Sequence, residues 1–300
     1  MDHAAATFAP PVLGASNPGL SRTSPGGVGL NVARDLARLG RPVRLVTRVG
    51  ADADGGAVSA AARADGVDAA SISVSRSART ATYRAAFDDR GGLIIGIADM
   101  AVMDEVTPAA VSEAAAGSPS DHAFVIDANL PAATLAFLVE AAAMSGRAVA
   151  AIAVSPAKAV KLTPLLDRLT LLFATRREAA ALLGRPDDAA VATRSLAAML
   201  AARGAARVVV TDSGDPLAAA SGSEVHLFPP FPAHVRSVNG AGDALAAGTL
   251  HGLASGRGFF DAVLSGLAAA AITVEEDGTV AEGLNPAALE ARIAKARIVA

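Results

Sequence analysis

Short, largely apolar runs alternate with helix-type segments along most of this chain, and that alternation restricts it to folds built on a parallel sheet. The runs are Ala123 to Asp127, Ala148 to Ile152, Leu169 to Phe173 and Arg207 to Thr211. Helix-like segments separate them, around 131–145, 176–183 and 192–203. Strands spaced this way need crossover connections, which cover both faces of the sheet and leave the strands apolar throughout. Upstream, Gly27 to Leu39 places Val28, Val32, Leu36 and Leu39 on one helical face, and Arg41 to Gly50 reads as the strand that follows. Residues 80–87 and 92–97 differ: they flank Asp88-Asp89-Arg90-Gly91 and read as a β-hairpin inserted into the α/β body. No linker, repeat or low-complexity segment divides the chain, so residues 1–300 are expected to form one α/β domain carrying a small β lid.

Composition narrows the partners. A hydrophobic content of 52% supports a large core, while a charged fraction of 18% and a net charge of −3 give no basic footprint for nucleic acid or an anionic membrane. A small-molecule ligand is expected instead. The chain has no cysteine, which excludes disulfides, a thiol nucleophile and thiolate metal sites and agrees with a reducing interior. The first residues carry no basic region or long apolar run, and nowhere do about 18 apolar residues follow one another, so a soluble cytoplasmic protein is expected. The five histidines are scattered without metal-ligand spacing.

Two glycine-rich segments carry chemistry. Val238-Asn239-Gly240-Ala241-Gly242-Asp243 runs into Ala244-Leu245-Ala246-Ala247-Gly248, so a tight turn opens a helix with a carboxylate in its first turn. Backbone N–H groups can crowd around an anion there, aided by the helix dipole, and Asp243 stands beside it as a base. An ordinary loop before a helix has the same spacing. Far upstream, Ser24-Pro25-Gly26-Gly27-Val28-Gly29-Leu30-Asn31 precedes a helix; its paired glycines permit close backbone approach, and Asn31 offers donors and an acceptor to hydroxyls. Asp52 and Asp54 read as turn residues, Arg176 and Arg177 as a solvated first helical turn or a phosphate contact, and Ala287 to Ile298 as an amphipathic surface helix.

Together the two segments resemble the ribokinase-like, or PfkB, family of ATP-dependent sugar and nucleoside kinases, over almost the whole chain from about residue 14. Within it the likeness is to bacterial pseudouridine kinases. It rests on Ser16-Asn17-Pro18-Gly19, Asn31, Ile97-Ala98-Asp99-Met100, Asp127-Ala128-Asn129, and Val154-Ser155 with Lys158 and Lys161. The resemblance implies a three-layer α/β/α sandwich with a mostly parallel central sheet and a lid from segments near 12–25 and 78–98. It implies phosphorylation of a nucleoside 5′-hydroxyl, pseudouridine first, with another nucleoside or ribose as the next reading. A catalytically weakened nucleoside-binding protein is the reading of a different class.

The same resemblance assigns roles. Asp243 is the general base, and the amides of Gly240, Ala241 and Gly242 form an anion hole. Gly26, Gly27 and Asn31 hold the sugar, with Asn17 and Asp99 contacting base or lid. Thr211, Ser213 and Gly214 join Gly240 and Gly242 around ATP, Glu178 organises Mg²⁺, and K⁺ is placed near Glu275-Glu276-Asp277-Gly278. A homodimer through the lid is expected. The chain also departs from the pattern: Thr175 replaces the asparagine that partners Glu178, Ile152 stands where an aspartate is expected, and Ser213 and Pro216 replace glycines of the nucleotide loop. The family opens with a strand carrying a glycine and then an aspartate for substrate hydroxyls, whereas Thr7 to Gly14 contains Pro10 and Pro11, which disfavour a central strand. A misassigned start, a shortened chain or an absent carboxylate each fit that departure.

Overall fold

The structure is a computed structural model that describes residues 1–115, 122–187 and 190–299. The chain opens with strands β1 (Asp2–Thr7) and β2 (Gly19–Ser24), then helix α1 (Val28–Arg38), β3 (Thr47–Gly50), α2 (Ala53–Ala64) and β4 (Ile72–Ser75). The hairpin β5 (Thr82–Phe87) and β6 (Leu93–Asp99) follows, then α3 (Pro108–Ala115), β7 (Phe124–Asp127), α4 (Ala132–Ser145), β8 (Val149–Ile152) and the short α5 (Pro156–Ala159). After a 3₁₀ stretch at Val160–Arg168 come β9 (Leu171–Thr175), α6 (Arg176–Leu182), α7 (Thr193–Ala202), β10 (Arg207–Asp212), β11 (Asp215–Ser221) and β12 (Glu224–Phe228). Helices α8 (Ala241–Ala254), α9 (Phe259–Thr273) and α10 (Pro286–Val299) complete the chain.

The main sheet has the order β12-β11-β10-β9-β8-β7 and is parallel from β7 to β10. Alternate residues of its strands enter opposite cores. Ala151, Leu172, Val208 and Val210 pack with α4, α6 and α7, whereas Ile152, Phe173 and Val209 pack with α1, α8 and α9. Coverage on both faces is why these strands are apolar runs rather than alternating ones, and it gives the expected three layers. The sheet ends differently from the expectation of crossovers: β11 and β12 are antiparallel, because the two-residue turn Ser213-Gly214 reverses the chain with no room for a helix.

A second sheet has the order β2-β1-β5-β6, with β1 parallel to β5 and antiparallel to β2. Residues 8–18 lie outside any strand, as Pro10 and Pro11 suggested, yet Asp2–Thr7 forms a strand in this smaller sheet. Its assembly from four strands extends the expected segments near 12–25 and 78–98. The expected strand Arg41 to Gly50 is shorter: only Thr47–Gly50 pairs as a strand, with β4, and Arg44 makes an isolated bridge to Asp68. A crevice of about 680 Å³ runs between β3 and the edge strand β7. The C-terminal helix α10 seats Leu289 and Ile293 in a core with Ile272 and Leu284. No described helix is long and apolar enough to cross a membrane.

Candidate active site

Gly240 sits at the N-cap of α8 with φ of 79°, and a Cβ built there would meet the Thr279 carbonyl oxygen at 1.9 Å. Only glycine fits this turn. The amides of Gly242 and Asp243 in the first turn have no acceptor among the described residues, so they remain free for an anion. Asn31, buried on α1, donates from Nδ2 to Asp243 Oδ2 at 2.8 Å and accepts from Thr279 Oγ1 at 3.3 Å. The α1–α8 packing thereby fixes the carboxylate. Burial, and then the negative charges of Asp127 and Asp2, push Asp243 up to about 7 against the opposing hydrogen bond from Asn31. A carboxylate poised near neutrality beside free helix amides suits proton abstraction coupled to transfer of an anionic group.

Asp2 is the residue that reading the sequence missed. It begins β1, opposite Ser24 and Tyr83 in register, and this carries it to the Gly26-Gly27 turn. A Cβ at Gly26 would lie 1.8 Å from Asp2 Oδ2, so the glycine makes room for the carboxylate. Burial raises the pKa of Asp2. The acid stands ahead of Thr7 to Gly14, on an alanine-rich strand with weak intrinsic preference. Asp127, at the end of β7, lines the same crevice as Asp2, Gly26 and Gly27. Asp127 stands at the carboxyl end of β7, where open α/β sheets bind ligands, and the charges of Asp127 and Asp2 reach Asp243.

Asp35 lies one helical turn beyond Asn31 on α1, fully buried, with neither carboxylate oxygen hydrogen-bonded among the described residues. Burial first, then the charge of Asp243, push it up to about 8, so it is largely a neutral acid at pH 7.

The remaining predicted residues divide. Thr211 stands beside Thr175 in the β9–β10 register, Ser213 adopts a positive φ of 51°, and Gly214 completes the hairpin turn. Thr175 caps α6 in a reciprocal box: its amide donates to Glu178 Oε2 at 2.8 Å and its hydroxyl accepts from the Glu178 amide at 3.3 Å. This explains how threonine substitutes for asparagine while keeping Glu178 in place. Arg176 bridges Asp187 and Asp212 at 3.1 and 3.0 Å and Arg177 pairs with Asp187, so both serve the surface. Ile152 packs into the apolar core with Val32 and Leu36, as an aspartate there would not.

Asn17 is not brought to the site. Its side chain closes the 8–18 loop on itself, bonding the Val12 amide and the Val12 and Ala15 carbonyls, which is turn chemistry. Asp99 faces a separate cavity of about 360 Å³ with Asp54, Arg79 and Arg84. Asp52 caps α2 through the Gly55 amide and holds Thr80. Glu275 is taken up by Arg292 and the His234 amide, and Glu276 by the amides of Glu282 and Gly283. Among the described residues no group of three or more His, Asp or Glu side chains is arranged to hold a metal ion.

A parallel sheet wrapped by helices, a glycine turn opening α8 and a poised aspartate define a ribokinase-like phosphotransferase for small hydroxyl-bearing substrates. The profile of the pfkB family carbohydrate kinases matches residues 13–286, and the chain belongs to that family, a sugar or nucleoside kinase. It is 30% identical over 254 residues to the pseudouridine kinase of Escherichia coli (strain K12), covering 83% of this chain and 79% of that protein. A carbohydrate kinase from Agrobacterium tumefaciens superposes with a TM-score of 0.81 at 35% identity over 98% of this chain and 94% of its own. The ribokinase of Arabidopsis thaliana, solved with ribose and ATP, superposes with a TM-score of 0.79 at 18% identity over 97% and 95% of the two chains.

Proposed function

We propose that this kinase transfers the γ-phosphoryl group of ATP to the 5′-hydroxyl of a nucleoside, with pseudouridine as the preferred substrate. The observation that carries the reading is Asp243, held by Asn31 at the mouth of the α8 amides with its pKa near 7. The likeness to a pseudouridine kinase supports the choice of nucleoside. Asp243 takes the hydroxyl proton as that oxygen bonds to the γ-phosphorus and the bond to the β-phosphate oxygen breaks, releasing ADP. Charge on the transferring group is met by the free amides of Gly242 and Asp243, with that of Gly240 beside them, whereas the Ala241 amide, expected in the anion hole, donates to the Val238 carbonyl at 3.4 Å. Asp2, with the backbone of Gly26 and Gly27, accepts from the sugar hydroxyls, whereas Asn31, expected to hold the sugar, has its amide engaged by Asp243 and Thr279 and orients the Asp243 carboxylate.

Thr211, Ser213 and Gly214, at the β10–β11 turn, border the nucleotide. Mg²⁺ bound with the triphosphate would supply charge neutralisation there, with Glu178 the residue to hold it. Glu178 is buried, and its Oε2 accepts from the Thr175 amide, which fixes the side chain's position. The smaller sheet acts as a lid that excludes water. Ile95 and Ile97, both exposed on one face of the sheet, support a homodimer through it. ATP consumption measured with pseudouridine, uridine, adenosine and ribose tests the proposal, with fastest turnover expected for pseudouridine. Clear nucleoside binding without turnover of any of the four would replace the kinase with a binding protein.

A further inference from the structure

Two lysines after β8 are spent on the loop that follows β7. Lys158 Nζ donates to Asn129 Oδ1 at 2.5 Å, and Lys161 Nζ donates to the Leu130 carbonyl at 2.7 Å. Asn129 in turn grips Asp127: its backbone amide donates to Oδ1 at 2.7 Å, and its side chain donates to the same carboxylate. The Gly29 amide adds another donor, with the glycine so close that a Cβ would lie 3.1 Å from Oδ2. An ionised carboxylate offers about four acceptor positions. Three are filled, and the carboxylate still lines the crevice.

The turn that delivers Lys158 is strained. Val154 has φ of 69° and the Ser155 amide donates to the Ala153 carbonyl at 2.8 Å, a γ-turn of the rare positive-φ kind on a β-branched residue. Such a conformation costs on the order of 1–3 kcal/mol and collects at ligand sites. The strain carries the chain from the buried Ile152, in the crevice floor, to the lysine above Asn129.

We infer that Asp127 is a specificity-determining residue that accepts an N–H from the heterocyclic base of the substrate, and that Lys158 is the positioning residue that aims it through Asn129. The inference rests on the nucleoside-kinase reading. Asp2 and Gly26 mark the sugar end; Asp127 bears on Gly29, farther along the same turn, and shares the crevice with Met103 and Leu130, whose apolar surfaces suit a flat ring. The sequence singled out Asp127, Asn129 and Lys158 together, and the catalytic step uses none of them. Burial raises the pKa of Asp127, and the positive charge of Lys158 opposes that rise.

Calorimetric titration with pseudouridine and with its N1,N3-dimethylated form, which lacks ring donors, tests the inference on wild type, Asp127→Asn, Lys158→Met and Lys158→Arg. Losing a hydrogen bond to a charged group corresponds to about 10-fold or more in Kd. That loss is expected for pseudouridine with Asp127→Asn and Lys158→Met, whereas Lys158→Arg stays within about 3-fold because it keeps a cationic donor. Dimethylpseudouridine should bind wild type about 10-fold more weakly and be indifferent to Asp127→Asn. Unchanged pseudouridine affinity in both Asp127→Asn and Lys158→Met, or equal losses for both ligands in a folded variant, would overturn the inference. ATP turnover on the same samples separates the two readings: turnover with unaltered variant affinities sinks the clamp alone, and binding shifts without turnover sink the kinase alone. Wild type that binds neither ligand overturns the clamp.

Discussion

The proposed phosphoryl-transfer end and the proposed substrate end of this site are built in different ways. At the first, one continuous segment supplies the turn, the anion-facing amides and the base, and a single long-range bond from Asn31 locks it. At the second, Asp2, Gly26 and Asp127 arrive from the start of β1, the turn before α1 and the end of β7 to line one crevice. Chemistry confined to one segment is readable locally. Chemistry assembled from strand ends depends on register, which local spacing does not encode.

Breaking the first end should have the largest consequence. Asp243→Asn keeps the shape and the contact with Asn31 but removes the base, so kcat should fall by at least about 10² while substrate Kd stays within a few-fold. Near-normal turnover would remove Asp243 from the base role. At the second end, Asp2→Asn should raise KM for the nucleoside by about 10-fold, the cost of a lost charged acceptor. It should also move the acid limb of the pH–rate profile. Asp2 raises the pKa of Asp243 through its charge, so neutralising it lets Asp243 ionise at lower pH. A KM change with an unmoved acid limb would place Asp2 outside electrostatic reach of the base.

The same contrast decided what was legible. Helix α1, strands β7 to β10 and the turn into α8 follow from periodicity and glycine placement, and all lie close to where the sequence set them. Strand β1 was invisible because Asp2–Thr7 is largely alanine and becomes a strand only by pairing on both sides with β2 and β5. The hairpin strands β11 and β12 lie beyond the last of the alternating runs, and Pro216 within β11 disfavours reading a strand there. Asn17 shows the opposite case: Asn-Pro-Gly is a strong local signal, and it describes a loop closing on itself.

Asp35 tests how tightly the first end is coupled. Its folded pKa of about 8 lies above its ordinary value of 3.8, so the folded state favours the protonated form. That preference contributes fully below about pH 4 and is lost as pH rises through about 8. Asp35→Asn lacks the titration. Its Tm relative to wild type should therefore climb between pH 4 and pH 8.5, by roughly 5 °C or more. A constant difference across that range would mean that the carboxyl finds water or a partner.

The smallest effect belongs to the loop that the sequence placed at the site and the structure placed outside it. Asn17 holds Val12 and Ala15 within an exposed segment, and its bonds are local. Asn17→Ala should change kcat and nucleoside KM by less than about 2-fold and Tm by at most a few degrees, since exposed substitutions of this kind usually stay near 0.5 kcal/mol. A KM increase of about 10-fold, comparable to that expected for Asp2→Asn, would mean that residues 8–18 fold over the bound substrate, and the substrate end would then have a fourth distant contributor.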